Sequence, residues 1–313
     1  MAMRVLITGV SGFVGFRLAN HLASQGYEVM GTYLRDRPPL ADVELFDVDL
    51  LDEGLLTDTL RRAEPEVVIH LAGLSHVGES WSRMADYFRV NVLGSENLVR
   101  AAGGTRLLAA SSAEVYGAVP EADQPISEDR PLAPQSPYAL TKAAMERMVI
   151  AADGVVVRSF NIVGPGQARN LALPAFARQL AAMTSGEQEA VLKVGNLTAR
   201  RDFVHVDDAV DALELLLRNG ETGTCYNLGT GRACSIAESL DRLIEISGVD
   251  TEIEEDPARC RPVDLPLLQA DNDRLVALGW SQSRDLDRAL SDLWQATLAL
   301  AAGEPGIHVA TSV

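Results

Sequence analysis

Val5-Leu6-Ile7-Thr8-Gly9-Val10-Ser11-Gly12-Phe13-Val14-Gly15 is the stretch on which the fold turns. Val5 to Thr8 form a β-branched, apolar run of the kind that is buried on both faces of a parallel sheet. The amphipathic segment Phe16-Arg17-Leu18-Ala19-Asn20-His21-Leu22-Ala23 follows it. Glycines at every third position between a strand and a helix let the backbone turn tightly. They also bring its N–H groups, with the helix N-terminus, against a diphosphate. Gly9, Ser11, Gly12, Phe13, Val14 and Gly15 are therefore expected to cradle a dinucleotide. The alternative is a generic strand–helix turn.

Outward from that turn, Glu28-Val29-Met30-Gly31-Thr32-Tyr33 reads as the next strand. An acid at its end would select NAD by binding the adenosine 2′-hydroxyl. Tyr33 stands there instead, followed by Arg35 and Arg37, cations that suit a 2′-phosphate. NADP(H) is favoured on this ground and NAD(H) is the alternative; a solvated loop face is the other use for the two arginines. Phe46-Asp47-Val48-Asp49-Leu50 is expected to end a third strand and Val67-Val68-Ile69-His70-Leu71-Ala72-Gly73 to form a fourth. Arg106-Leu107-Leu108-Ala109-Ala110 would deliver Ser111 and Ser112 at its carboxyl end, the edge beyond which ligands bind in open α/β sheets. Short apolar runs alternating with amphipathic stretches place the chain in the α/β class, as a Rossmann-type doubly wound parallel sheet.

Composition sets wider bounds. With 313 residues, 47% of them apolar, the chain exceeds one average domain and can build a substantial core. A formal charge of −17 argues against nucleic acid or an anionic membrane as partner. It also requires that any anionic substrate be met by arginines gathered at its site. Cys225, Cys234 and Cys260 are far apart and without C-x-x-C spacing, so neither a disulfide framework nor a metal site is expected, and a reducing cytoplasm is the simplest location. No apolar run reaches transmembrane length, and Met3-Arg4-Val5-Leu6-Ile7 reads as a strand rather than a signal peptide.

Ser136-Pro137-Tyr138-Ala139-Leu140-Thr141-Lys142 opens a helix with a good N-cap, Ser136, and Pro137 at its first position. Tyr138 and Lys142, four apart, share one helix face. A free tyrosine has a pKa of about 10, and a neighbouring ammonium is expected to lower it, giving a phenol able to exchange a proton near neutrality. A bland alternative exists for the lysine, a surface ion pair with Glu146 one turn further on.

Taken together, Thr8 to Gly15, His70-Leu71-Ala72-Gly73, Asn91-Val92-Leu93-Gly94, Ser111-Ser112-Ala113-Glu114-Val115-Tyr116-Gly117 and Tyr138-x-x-x-Lys142 resemble the extended short-chain dehydrogenase/reductase family, whose members act on nucleotide sugars. The resemblance implies a catalytic triad of Ser112, Tyr138 and Lys142, with Lys142 also on the nicotinamide ribose. Asp49, Leu50 and Ala72 would line the adenosine side, and Leu71, Gly73, Asn91 and Ser111 would complete the cofactor crevice. It also implies a smaller carboxyl-terminal α/β domain for the nucleotide sugar. On that reading residues 1–163 form the dinucleotide domain, to which the chain returns around 201–230, and residues 164–200 and 231–313 form the substrate domain. Asn161 would touch substrate, Arg201 and Arg261 its diphosphate, and Asp264 a nucleotide hydroxyl; interdomain salt bridges are the alternative for the two arginines. Ser75 and His76, and Asn196 in Val194-Gly195-Asn196-Leu197, are similar to segments of family members that bind GDP-sugars.

The implied reaction is NAD(P)H-dependent reduction of the C4 ketone of a nucleotide-linked 4-keto-6-deoxyhexose, GDP-4-keto-6-deoxy-D-mannose to GDP-D-rhamnose in the branch resembled most. A 4,6-dehydratase of GDP-mannose type and a 4-epimerase use the same triad. A dehydratase needs a further base and a proton donor; Glu114 could be the base, but Ala113 has no proton to give. In a reductase Glu114 is a bystander or holds a substrate hydroxyl. The resemblance also implies a homodimer through a four-helix bundle built from the helices after Asn91 and around Tyr138. Leu93, Leu98, Val99, Leu140, Met145, Met148 and Val149 would line that bundle or the chain's own core. The tail from about Gly303 lacks periodicity.

Overall fold

The computed structural model describes residues 2–259 and 264–304. Strands β1 (Arg4–Thr8), β2 (Glu28–Tyr33), β3 (Glu44–Asp47), β4 (Val67–His70), β5 (Arg106–Ser112) and β6 (Val155–Ser159) come first. Further on lie β7 (Asn161–Val163), β8 (Val191–Val194), β9 (Arg200–His205), β10 (Cys225–Leu228), β11 (Ala233–Ser235), β12 (Glu252–Glu255) and β13 (Leu267–Leu268). The helices are α1 (Phe13–Ser24), α2 (Glu53–Ala63), α3 (Met84–Phe88), α4 (Gly94–Ala102) and α5 (Pro137–Ala151) in the first half. They continue with α6 (Ala172–Thr184), α7 (Val206–Asn219), α8 (Ile236–Ser247), α9 (Asp273–Ala277) and α10 (Leu286–Ala301).

Seven strands form one sheet in the order β10-β6-β5-β4-β1-β2-β3, every pair parallel. Parallel strands are covered on both faces, which is why Val5, Leu6 and Ile7 are all fully buried. Leu18 and Leu22 of α1 and Leu213 and Leu216 of α7 close one face together with Val5 and Ile7. Leu56, Leu98, Met145 and Val149 close the other with Leu6. From β1 the chain winds one way to β2 and β3, then crosses to β4 and winds the other way. The order reverses between β1 and β4, the point at which open sheets of this kind form a crevice at the carboxyl ends of the strands.

A second set of elements packs around its own core. β11, β9, β13 and β7 form a four-stranded sheet, and β12 pairs with β8. Phe176 and Leu180 of α6, Leu240 and Leu243 of α8, and Leu290 and Trp294 of α10 meet beneath them. Helix α8 begins with a reciprocal capping box, Ser235 with Glu238, and ends at Gly248 in the left-handed region.

Three sequence expectations change. The third strand stops at Asp47 rather than running to Leu50, because the Asp49 carboxylate accepts the Leu51 N–H at 2.9 Å and turns the chain. The fourth strand stops at His70, and Leu71 to Gly73 form the loop beyond it. The surface pair of Lys142 with Glu146 does not exist, since both residues are buried. Of the apolar residues assigned to a bundle or to the core, Leu98, Met145 and Val149 are fully inside, whereas Leu93 and Leu140 are exposed. Among the described residues no helix is long and apolar enough to cross a membrane.

Candidate active site

The glycine turn is packed against its surroundings so closely that side chains are excluded. A Cβ on Gly15 would lie 2.2 Å from the Gly9 carbonyl oxygen, and one on Gly9, at φ 76°, would lie 2.8 Å from the Ala72 Cα. Helix α1 starts at Phe13 with Gly12 as N-cap, no capping side chain and no acid in its first turn. Its first N–H groups are thereby left to an outside anion, with Ser11, Phe13 and Val14 around them. The uncapped donors, on a turn too tight for side chains, fit a dinucleotide diphosphate. Tyr33 ends β2 and is half-buried, while Arg35 and Arg37 are exposed beyond it. Asp49 and Leu71 are half-buried beside the crevice; Leu50 is buried, and its carbonyl accepts from Asn97 at 2.9 Å.

Behind the crevice runs a directed hydrogen-bond chain. Ala72 N–H donates to Thr8 Oγ1 at 3.2 Å, and Thr8 Oγ1 lies 2.8 Å from His70 Nδ1. His70 Nε2 lies 2.8 Å from Ser95 Oγ, whose proton goes to the Asn91 carbonyl at 2.7 Å. Since Ser95 has one proton and spends it there, His70 Nε2 must donate and Nδ1 must accept. Burial, aided by the charge of Lys142, holds the imidazole neutral, with its pKa pushed down to about 3. Asn91, in a π-helical turn over Arg89–Leu93, accepts from Leu74 N–H at 2.8 Å and donates to the Leu74 carbonyl and to Thr141 Oγ1. Its amide thus ties the loop after Gly73 to α5 and shapes the wall of the crevice.

Ser112 ends β5 half-buried, and its Oγ accepts the Glu114 N–H at 3.2 Å. Tyr138 sits in the first turn of α5, which Ser136 caps through Ala139 N–H at 3.1 Å. The ring of Tyr87 meets that of Tyr138 edge-on, centroids 6.4 Å apart and planes at 88°, while the Tyr87 hydroxyl donates to the His76 carbonyl at 2.6 Å. Lys142 Nζ donates to the Ala110 carbonyl at 2.8 Å. Here the electrostatic expectation is overturned. The phenol of Tyr138 is pushed up, first by burial and then by the Glu114 charge and Tyr87, against a lowering hydrogen bond from Ser112. Lys142 is itself pulled down to about 8 by burial, opposed by Glu146. In the protein alone burial is the dominant influence on the phenol, and Tyr138 is held as a protonated acid.

Ser111 departs from expectation too. Successive residues of a strand face opposite ways, and its hydroxyl donates inward to Glu146 Oε1 at 2.5 Å, leaving only backbone for the crevice. Ala113 is buried in an apolar cluster with Val115, Tyr116, Phe160 and Leu268. On the substrate side, His76 Nδ1 accepts the Glu79 N–H at 3.0 Å beside exposed Ser75, and Asn161 opens β7 half-buried. Arg201, 4% exposed, donates to Asp264 Oδ1 and to the Leu265 carbonyl, both at 2.7 Å, and Asn196 Nδ2 reaches Asp264 Oδ2 at 2.8 Å. These three gather into one cluster, Arg201 and Asp264 as an ion pair rather than with separate ligand groups. Arg261 lies outside the described residues. Among the described residues no group of three or more His, Cys, Asp or Glu could hold a metal ion.

Sequence reasoning assigned no role to His70, Tyr87 or Thr141. The signal for His70 was its place inside an apolar strand, where only a partnered, neutral imidazole is tolerated.

Comparison with known proteins gives four consistent findings. The profile of the NAD dependent epimerase/dehydratase family matches residues 5–229. The GDP-6-deoxy-D-mannose reductase of Pseudomonas aeruginosa is 35% identical over 303 residues, 93% of this chain and 95% of the relative. The solved structure of RMD from Pseudomonas aeruginosa complexed with NADPH superposes with a TM-score of 0.84 at 33% identity, covering 96% of this chain and all (100%) of that one. The Thermus thermophilus UDP-glucose 4-epimerase, solved with NAD, gives a TM-score of 0.85 at 29% identity over 94% of this chain and 99% of that one.

Proposed function

The chain belongs to the NAD dependent epimerase/dehydratase family, and from that premise we propose that it reduces the C4 ketone of GDP-4-keto-6-deoxy-D-mannose to GDP-D-rhamnose, using NADPH in preference to NADH. The observation that carries the proposal is the convergence of Ser112, Tyr138 and Lys142 at the carboxyl end of β5, beside a glycine turn that fits a dinucleotide, with apolar Ala113 next to them. Gly9, Ser11, Gly12, Phe13, Val14 and Gly15 would hold the diphosphate, and Tyr33, Arg35, Asp49, Leu50 and Ala72 the adenosine half. When bound, NADPH supplies the hydride. Tyr138, protonated, gives its proton to the C4 oxygen, and the Ser112 hydroxyl holds that oxygen in place. Lys142, fixed on the Ala110 carbonyl, keeps a positive charge below the phenol and meets the nicotinamide ribose.

Arg201 and Arg261 would face the nucleotide diphosphate and Asp264 a nucleotide hydroxyl, with Asn196 beside them and Ser75, His76 and Asn161 toward the sugar. Two units follow from this reading, residues 1–163 with a return around 201–230 for the dinucleotide, and 164–200 with 231–313 for the nucleotide sugar. Membership of β10 in the seven-stranded sheet and the packing of α7 on α1 support the return. A homodimer through α4 and α5 of each copy belongs to the same proposal, supported by the exposure of Leu93 and Leu140. So does a cytoplasmic location, in keeping with free thiols at Cys225 and Cys234.

One observation favours a second reading, 4,6-dehydration: the charge of Glu114 acts on Tyr138 and could serve as the extra base. The purified protein with GDP-mannose and NADP+, followed at alkaline pH for a 4-keto chromophore, separates the two. No chromophore is expected; steady keto-sugar formation would replace reduction by dehydration.

A further inference from the structure

Glu146 lies one helical turn beyond Lys142 and is 2% exposed. Its two oxygens collect four hydrogen bonds: Ser111 Oγ to Oε1 at 2.5 Å, Arg158 Nε to Oε1 and Oε2 at 3.1 and 3.2 Å, and an Arg158 terminal nitrogen to Oε2 at 2.9 Å. The other terminal nitrogen of Arg158 donates to the Tyr116 hydroxyl and to the Glu128 carbonyl, each at 3.0 Å. The Tyr116 hydroxyl donates in turn to Asn227 Oδ1 at 2.7 Å. The fork is therefore closed on all sides within the protein and has no open coordination for a ligand.

What distinguishes this network is which pieces it joins. Ser111 precedes Ser112 on β5. Glu146 shares α5 with Tyr138 and Lys142. Tyr116 closes the turn that carries Glu114, and Arg158 on β6 lies opposite Ser111 in the sheet, just ahead of Asn161. A buried ion pair contributes little net stability over an apolar pair of the same volume, so stability alone is a weak reason for one here. Position is a stronger one, because a reacting group misplaced by about 1 Å can cost on the order of a hundredfold in rate.

We propose that Glu146 is a positioning residue for the reduction, its carboxylate clamping β5, β6 and α5 so that the Ser112 hydroxyl, the Tyr138 phenol and the Lys142 ammonium meet at one point. The proposal rests on the functional reading above. The groups facing the carboxylate are Lys142 on its own helix, Arg158 on β6, Tyr116 after β5 and Cys225 on β10; Lys142 also faces His70 on β4. The negative charge of Glu146 has a second effect, since it opposes the burial that draws Lys142 down to about 8.

Two variants test it. Ser111→Ala removes the tie from Glu146 on α5 to β5 without uncovering a charge. Glu146→Gln keeps the shape and removes the charge. With NADPH and the 4-keto sugar, Ser111→Ala is expected to lower kcat about tenfold while KM for the sugar stays within about twofold. Glu146→Gln is expected to move the alkaline limb of the kcat profile to lower pH by about one unit, as Lys142 loses its counter-charge. Thermal melts establish that each variant is folded; where Glu146→Gln unfolds because Arg158 is left unpaired, Ser111→Ala decides alone. Folded variants with kcat within about twofold of the parent and an unmoved limb would mean a structural role only and overturn the proposal. A parent protein without turnover removes the functional reading, and this inference with it.

Discussion

Tyr138 shows how a residue's place can be legible in the sequence while its state is not. Its spacing from Lys142 was legible from a helical period. Its ionisation was not, because the burial that raises the phenol comes from Tyr87, on another helix, and from the packing of α5. A phenol held protonated is the right starting state for donating to a ketone oxygen, which agrees with reduction. His70 was equally hidden, since hydrogen-bond direction depends on Thr8 and Ser95 from distant parts of the chain. Its consequence for stability can be signed. The unfolded imidazole takes up a proton near 6.5 and the folded one only near 3, so the contribution is fully present above about 6.5 and is lost as pH falls toward 3. His70→Gln retains an acceptor and a donor but does not titrate. Its melting temperature is expected to decline less steeply than the parent's over that window; parallel curves would show that His70 does not govern acid stability.

At the scale of elements, the turn from β1 into α1 and the capped start of α5 stand where the sequence pattern puts them. The ends of β3 and β4 do not, because a carboxylate at Asp49 and a loop held by Asn91 override the apolar runs there. The two serines closing β5 offer the clearest lesson. Both were assigned to the crevice, yet the two-residue period of a strand lets only one face it, and Ser111 turns to Glu146. The tightness of the glycine turn supplies a prediction belonging to this scale. In Gly15→Ala the new methyl meets a backbone oxygen 2.2 Å away, which no side-chain rotation relieves. The α1 N-terminus must shift, and affinity for NADPH, measured by titrating its fluorescence, is expected to fall at least about tenfold. Unchanged affinity would detach the turn from the cofactor.

At the scale of the molecule, the reversal of strand order between β1 and β4 explains why residues from so many segments converge on one crevice. That much follows from a doubly wound reading of the sequence. The pairing of Arg201 with Asp264 does not, because their partners are settled only when β9 and the segment before β13 lie side by side. Association is decided at this scale as well. Leu93 and Leu140 are 47% and 46% exposed, close to exposed Met84 and Phe88 in the same helical layer. Leu140→Glu is expected to convert a dimer to a folded monomer in sedimentation equilibrium; an unchanged mass would place the contact elsewhere. The central claim, hydride delivery to a sugar C4 with Tyr138 as acid, has a direct measurement. NADPH carrying deuterium at its transferable position is mixed with GDP-4-keto-6-deoxy-D-mannose and the products are resolved by NMR. Deuterium at C4 of GDP-D-rhamnose is expected, with loss of at least about a hundredfold in rate in Tyr138→Phe; no consumption of NADPH, or a Tyr138→Phe variant as fast as the parent, would contradict it.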